Sequence, residues 1–158
     1  MRYRIAALGV LALASAAQAQ DALVTYKSLA PEAALDLARA ALANCRERGF
    51  QIAVTVVDRF GVTQVTLRDR FAGAHTVPTA TAKAWTAVSF RTNTGELVAL
   101  TQPGVRSLPG VAIIAGGVTI EAGGSLLGAV GVSGAPGGDG DEACAKAGIE
   151  AVREKLEF

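Results

Sequence analysis

The chain has 158 residues, 51% of them hydrophobic and 18% charged, which is enough for one domain with its own core. Its 15 basic and 14 acidic residues nearly cancel and form no basic run, which argues against nucleic acid or an anionic membrane as partner. Aromatic residues are only 5%, so the core must be built from Ala, Val, Leu and Gly.

The first stretch reads as a leader. Arg2 and Arg4 give a basic start, Ile5 to Ala14 is apolar but too short to span a bilayer, and Ala17-Gln18-Ala19 is a small-x-small cleavage signal. Residues 1–19 are therefore expected to be a secretory signal peptide, and residues 20–158 a single domain in the periplasm or outside the cell. No cysteine follows the cleavage site, which argues against a lipoprotein.

After a lead-in that carries Tyr26, a helix is expected over Pro31 to Arg48. Pro31 suits the first helical position, where its missing N–H costs nothing. Leu35, Ala38, Leu42 and Cys45 share a face that Leu37 and Ala41 widen, and Gly49 ends the helix. Phe50 to Asp58 reads as a strand apolar on both sides, and Asp58 to Gly61 as a turn. Val62 to Arg68 alternates as a hairpin partner nearer a sheet edge. Asp58 and Asp69 flank this hairpin as turn residues.

A second helix is expected over Thr76 to Phe90, with Thr76 as N-cap, Pro78 in its first turn and a small-residue face of Ala80, Ala84 and Ala87. Trp85 and Phe90 read as core or subunit-interface residues. A short helix follows over Gly95 to Leu100 with Thr94 as cap, and Pro109-Gly110 opens a strand over Val111 to Ala115.

The next stretch organises the rest. Val118 and Ile120 alternate with Thr119 and Glu121, Gly123-Gly124 makes a two-residue turn, and Ser125 to Ser133 is nearly all apolar. A strand that apolar belongs in the centre of a sheet, and Gly128 and Gly131 within it imply that another backbone or a ligand comes close. The loop from Gly134 to Asp141 then leads into a last helix. Asp139 and Asp141 would repel a pyrophosphate, so this is no dinucleotide loop; Asp139 with Glu142 instead reads as a capping box. The order is helix, two strands, two helices, three strands, helix: an α+β layer fold with antiparallel hairpins.

Cys45 and Cys144 fall on the first and last helices. In an exported protein such a pair usually closes as a disulfide; two free thiols or a redox pair are the alternatives.

The strings VTVVDRFG (54–61), HTVPTATAKAWTAVSFRT (75–92), GVAIIAGGVTIEAGGSLLGAVGVSG (110–134) and DEACAKAG (141–148) resemble the GlcG/HbpS family of small haem-binding-type proteins. The resemblance implies a profilin-like fold with a five-stranded antiparallel sheet and packed helices. It also implies homo-oligomers from dimer to octamer. Some relatives bind haem or its iron and signal to a sensor protein; others accompany glycolate or diol metabolism. Fold carries over more safely than function.

His75 is the only histidine, and imidazole is the usual protein ligand of haem iron. The plainer reading is a solvent-facing loop histidine beside a helix cap. Beyond residue 19 the chain has no methionine, so iron ligation by another strong donor falls to Tyr26. A threonine hydroxyl is proposed in some relatives, which keeps Thr79, Thr81 and Thr86 open. Thr76, Thr79 and Lys83 share a helix face and are expected to line a pocket, with Lys83 pairing a haem propionate or another carboxylate. Alternatively Lys83 snorkels over apolar surface or forms a salt bridge between subunits. Three functions follow: an exported haem or tetrapyrrole-binding protein; an enzyme or accessory factor for a small organic acid, using Lys83 or His75 as acid–base group; and a structural or sensory oligomer without a ligand.

Overall fold

The computed structural model describes residues 22–100 and 102–157, so the expected leader lies outside the described residues. The elements are α1 (Pro31–Glu47), β1 (Ala53–Asp58), β2 (Thr63–Arg68), α2 (Thr76–Phe90), α3 (Thr94–Leu100), a 3-10 turn (Pro103–Ser107), β3 (Gly117–Ala122), β4 (Ser125–Ser133), α4 (Gly138–Ala151) and α5 (Arg153–Leu156). The strands form one antiparallel sheet in the order β2-β1-β4-β3. The alternating β2 lies at an edge and the apolar β1 and β4 at the centre, as their side-chain patterns require.

The central strands are apolar on both sides because both sheet faces are covered. Ile52, Val54, Val56, Val118, Ile120, Val130 and Val132 belong to the core under α1 and α4. Val57 and Ala129 meet Ala84, Ala87 and Val88 of α2 on the opposite face. On α1 the buried stripe centres on Leu37, Ala38 and Ala41, with Leu35 only half-buried. Helix α2 lies unusually near the sheet. A Cβ on Gly131 would collide with the Ala80 carbonyl oxygen and stand 2.6 Å from the Ala84 amide nitrogen. The backbone that Gly131 was expected to admit is therefore that of α2, whereas at Gly128 it is that of β1, at Val57 and Asp58. At the β3–β4 turn, Gly123 (φ 53°) and Gly124 (φ 72°) both take the left-handed conformation that a tight hairpin demands.

Four strands form where five were expected among the described residues. Val111 to Ala115 has strand-like composition, but its backbone groups are spent on side chains. The Ala112 N–H donates to Thr86 Oγ1 at 2.9 Å, and Thr94 Oγ1 donates to the Ile114 carbonyl at 2.7 Å. The segment runs as irregular chain tied to α2 and α3, and a strand ladder is not made there.

Cys45 and Cys144, 99 residues apart, form a disulfide with Cα atoms 5.6 Å apart, pinning α1 to α4. Asp69 is no simple turn residue. It is buried, accepts a hydrogen bond from Arg46 Nε at 2.7 Å, and so clasps the end of β2 to the end of α1. Asp58 does fill the expected turn role, accepting from the amides of Phe60 and Val62 at 2.8 and 2.9 Å.

Closing a loop of this length restricts the unfolded chain, with a ceiling near ~4.7 kcal/mol and a typical return of ~2–4 kcal/mol. Replacing both cysteines with alanine is therefore expected to lower stability by about 2–4 kcal/mol in guanidinium unfolding; an unchanged midpoint would show that the bridge adds nothing. Gly131→Ala is expected to destabilise by about 1–3 kcal/mol through forced separation of α2 from β4, and a wild-type melting curve would contradict the close packing.

Candidate functional site

The start of α2, the end of β4 and the start of α4 meet around a cleft of ≈ 290 Å³. His75, Thr79 and Lys83 line it from α2, Ser133 and Gly134 from the end of β4, and Asp141 from α4. Residues 75, 79 and 83 succeed one another at four-residue steps, so one helix face supplies the wall.

His75 occupies the position before α2, already in helical conformation (φ −68°, ψ −20°), and makes no side-chain cap. Its ring packs over Gly73, where a Cβ would stand 2.7 Å from Cε1. Neither ring nitrogen has a hydrogen-bond partner among the described residues, and the side chain is exposed. Thr79 Oγ1 donates to the His75 carbonyl at 2.7 Å, fixing the backbone beneath the ring.

Lys83 is the largest of the side chains that are almost fully buried, at 2% exposure. It lies in the stripe of Ala80, Ala84 and Ala87 that faces the sheet, so its ammonium is carried into the interior. There it donates to Asp141 Oδ2 at 2.7 Å and to the Val132 carbonyl at 3.0 Å. Gly116 makes room: a Cβ there would lie 2.9 Å from Nζ. Asp141 also accepts the Ala135 N–H at 2.9 Å. Burial pushes the Asp141 carboxyl above the ordinary carboxylate range, opposed by the hydrogen bond and charge of Lys83 and by the backbone amides.

The expected site residues divide accordingly. His75, Thr79 and Lys83 come together at the cleft. Thr76 is buried and is the first residue of α2, not its cap; its hydroxyl donates to the Gly73 carbonyl at 2.7 Å and does not reach the cleft lining. Lys83 neither snorkels nor reaches another subunit, since an internal carboxylate holds it. Tyr26 packs edge-on against Phe60, ring centroids 5.0 Å apart, at the β1–β2 turn. That is the opposite end of the hairpin from the loop leading to His75, so the two are not brought together. Thr81 shares a hydrogen bond with Thr55 at 3.1 Å and Thr86 accepts from Ala112, so both are occupied in the helix–sheet seam. The proposed capping box is absent: α4 starts from Gly137 without a side-chain cap, and Glu142 pairs with Lys146 at 2.6 Å. Asp141 was the residue missed. A lysine in the sheet-facing stripe of α2 demands a buried acid, and that demand was the available signal.

Residues 29–150 match the family described as "Haem degrading protein HbpS-like". The chain belongs to the HbpS-like family. The crystal structure of a Streptomyces reticuli HbpS double mutant is 37% identical over 92% of this chain and 98% of that one, with a TM-score of 0.79. The structure of a PduOC:heme complex is 31% identical over 78% of this chain and 94% of that chain, with a TM-score of 0.73. Klebsiella pneumoniae ORFY is 25% identical over 90% and 98%, with a TM-score of 0.78. No curated protein sequence matches. The HbpS-like relatives thus share the described fold nearly from end to end, while the four-stranded sheet stands in place of the five strands expected.

Removing one partner of a buried ion pair strands the other charge, at a cost of about 3–5 kcal/mol. Lys83→Met and Asp141→Leu are each expected to cost this much in chemical denaturation, and the double replacement much less than the two together. Additive losses would show that the pair is not coupled.

Proposed function

We propose that this HbpS-like protein is an exported haem-binding protein that holds its ligand at the start of α2, with His75 as iron ligand. One observation carries the reading: in a chain of this family, the lone imidazole stands exposed at a cleft with both ring nitrogens unengaged among the described residues. The residues present fit the group. An uncommitted imidazole nitrogen is a suitable axial donor, Thr79 holds the backbone beneath it, and an apolar surface adjoins it at Ile114. Haem, when bound, supplies an iron centre whose reactivity follows its axial ligand and the polarity around it. This chain's contribution is to orient the imidazole and to supply an apolar bed. Lys83 has no part in ligand binding here, because its ammonium is spent on Asp141 and Val132.

Export is part of the same reading, supported by the leader-like residues 1–19 and by a disulfide suited to an oxidising compartment. So is assembly into a dimer or larger ring, supported by Val98, Leu100 and Leu108, large apolar residues left exposed along one stretch of chain.

One feature favours a second reading. At ≈ 290 Å³ the cleft by itself is at the low end for small-molecule sites and suits a small organic acid better than a whole porphyrin. Native mass spectrometry of protein purified from its own host separates the two by the mass of any retained molecule.

Titration with hemin is expected to give a saturable Soret shift, and His75→Ala to weaken binding at least about tenfold with a changed Soret position. The haem reading fails if wild-type protein produces no shift, and the ligand assignment fails if His75→Ala titrates like wild type.

A further inference from the structure

A second cleft of ≈ 460 Å³ adjoins the first, and the two share Thr79 and Ile114. Its walls are Pro78 and Ala82 of α2 and the irregular segment from Val111 to Ile114. Those residues are all apolar. Thr79 and Arg106, the latter on the 3-10 turn, complete the lining. His75, Thr79 and Ala82 fall on one face of the helix, a run of about 10 Å. A flat ring with its metal at His75 and its body toward Ala82 would therefore rest on the apolar wall of the second cleft.

Such a ring carries carboxylates at one edge, and these need a cation. Lys83 cannot serve, being buried and held at 2.7 Å by Asp141. Arg106 can. Its side chain is exposed, and Nη2 donates to the Val98 carbonyl at 2.9 Å, which fixes the guanidinium relative to α3. A guanidinium has five N–H donors in a rigid fork, so this bond, the one it makes among the described residues, leaves an edge for a carboxylate.

We propose that Arg106 is the residue that binds the ligand's carboxylate edge, so that the ligand spans both clefts and must be a tetrapyrrole with free carboxylates. The inference rests on the haem reading and adds to it a second anchor and a ligand class. It also answers the size objection, because the two clefts together offer a bed that neither has alone.

The test titrates hemin and hemin dimethyl ester into wild type, Arg106→Ala, Arg106→Gln, Arg106→Lys and His75→Ala. Gln keeps polar N–H donors and lacks the charge; far-UV circular dichroism and melting curves confirm folding. Loss of a charge-assisted carboxylate contact is expected to weaken hemin binding about tenfold or more. Ester binding should be unchanged within about twofold, because no charge pair is lost. Arg106→Ala and Arg106→Gln should agree, Arg106→Lys should recover part of the affinity, and the Soret position should stay as in wild type. Equal losses for acid and ester, or no loss for hemin, would overturn the assignment. If hemin binds, responds to His75→Ala and ignores Arg106→Ala and Arg106→Gln, the haem reading stands and Arg106 is refuted. If wild type binds no hemin, both fall.

Discussion

The buried contact between Lys83 and Asp141 is the constraint around which the rest of the cleft is arranged. An ammonium cannot be left in a protein interior without a counter-charge and hydrogen-bond acceptors. Lys83 finds both, in Asp141 of α4 and in the Val132 carbonyl at the end of β4. Helix α2 is thereby fixed through one atom to two consecutive elements distant from it in sequence. Asp141 in turn receives the Ala135 amide, so the glycine-rich loop between β4 and α4 is held in place by the same carboxylate. Burial raises the proton affinity of that carboxyl and the ammonium lowers it, and the position is tolerable only while both partners are present. Such a pair is weak evidence for net stability, since an apolar replacement of both is often equally stable. Its effect is on geometry: it sets where the α2 face meets the α4 start.

The disulfide works on the same helix from the other side. Cys144 lies three residues beyond Asp141, so one turn of α4 is tied covalently to α1 and ionically to α2. Arg48 adds a hydrogen bond to the Gly140 carbonyl at 3.3 Å in that turn. The sheet lies between these attachments, with α1 and α4 on one face and α2 on the other. Because α2 sits so close over Gly131 and Gly117, a shift of its first turns cannot be absorbed by side-chain adjustment alone. The close approach therefore holds α2 from Ala80 to Ala84, the turns that follow His75 and Thr79, against the sheet.

Much of this was legible in the sequence because local signals and burial agreed. Helix α2 and strand β4 have the bounds expected, since Pro78 and the alanine stripe mark the one and the unbroken apolar run after Gly123-Gly124 marks the other. The missing fifth strand shows where such reading stops. Val111 to Ala115 has strand composition, and only the hydroxyls of Thr86 and Thr94, distant in sequence, divert its backbone. Asp141 was hidden for the same reason. Its partner is 58 residues away, and an acid at the head of a helix is more economically explained as dipole compensation. The register of Lys83 between Ala80 and Ala84 did carry the information that this lysine is buried. What the sequence could not supply was which of the fourteen acidic residues answers it.

The division of labour among cations follows from burial. A charge that the fold needs for its own closure is unavailable to a ligand, because withdrawing it would strand Asp141 in the interior. Groups left for recognition must then be those whose polar atoms the fold does not consume. Among the described residues, His75 meets this condition at one cleft, and Arg106, whose Nη2 donates to one carbonyl, meets it at the next. The second cleft adds an apolar surface, Pro78, Ala82 and Val111 to Ile114, with no charge to satisfy. On the proposed reading, with His75 as metal donor, Arg106 as anion receptor and an apolar floor at the second cleft, this is the chemistry a flat amphiphile with a ligand-accepting centre requires. A small organic acid would use only the receptor and leave the floor wet. The apolar surface is thus what favours the larger ligand, despite the small volume beside His75.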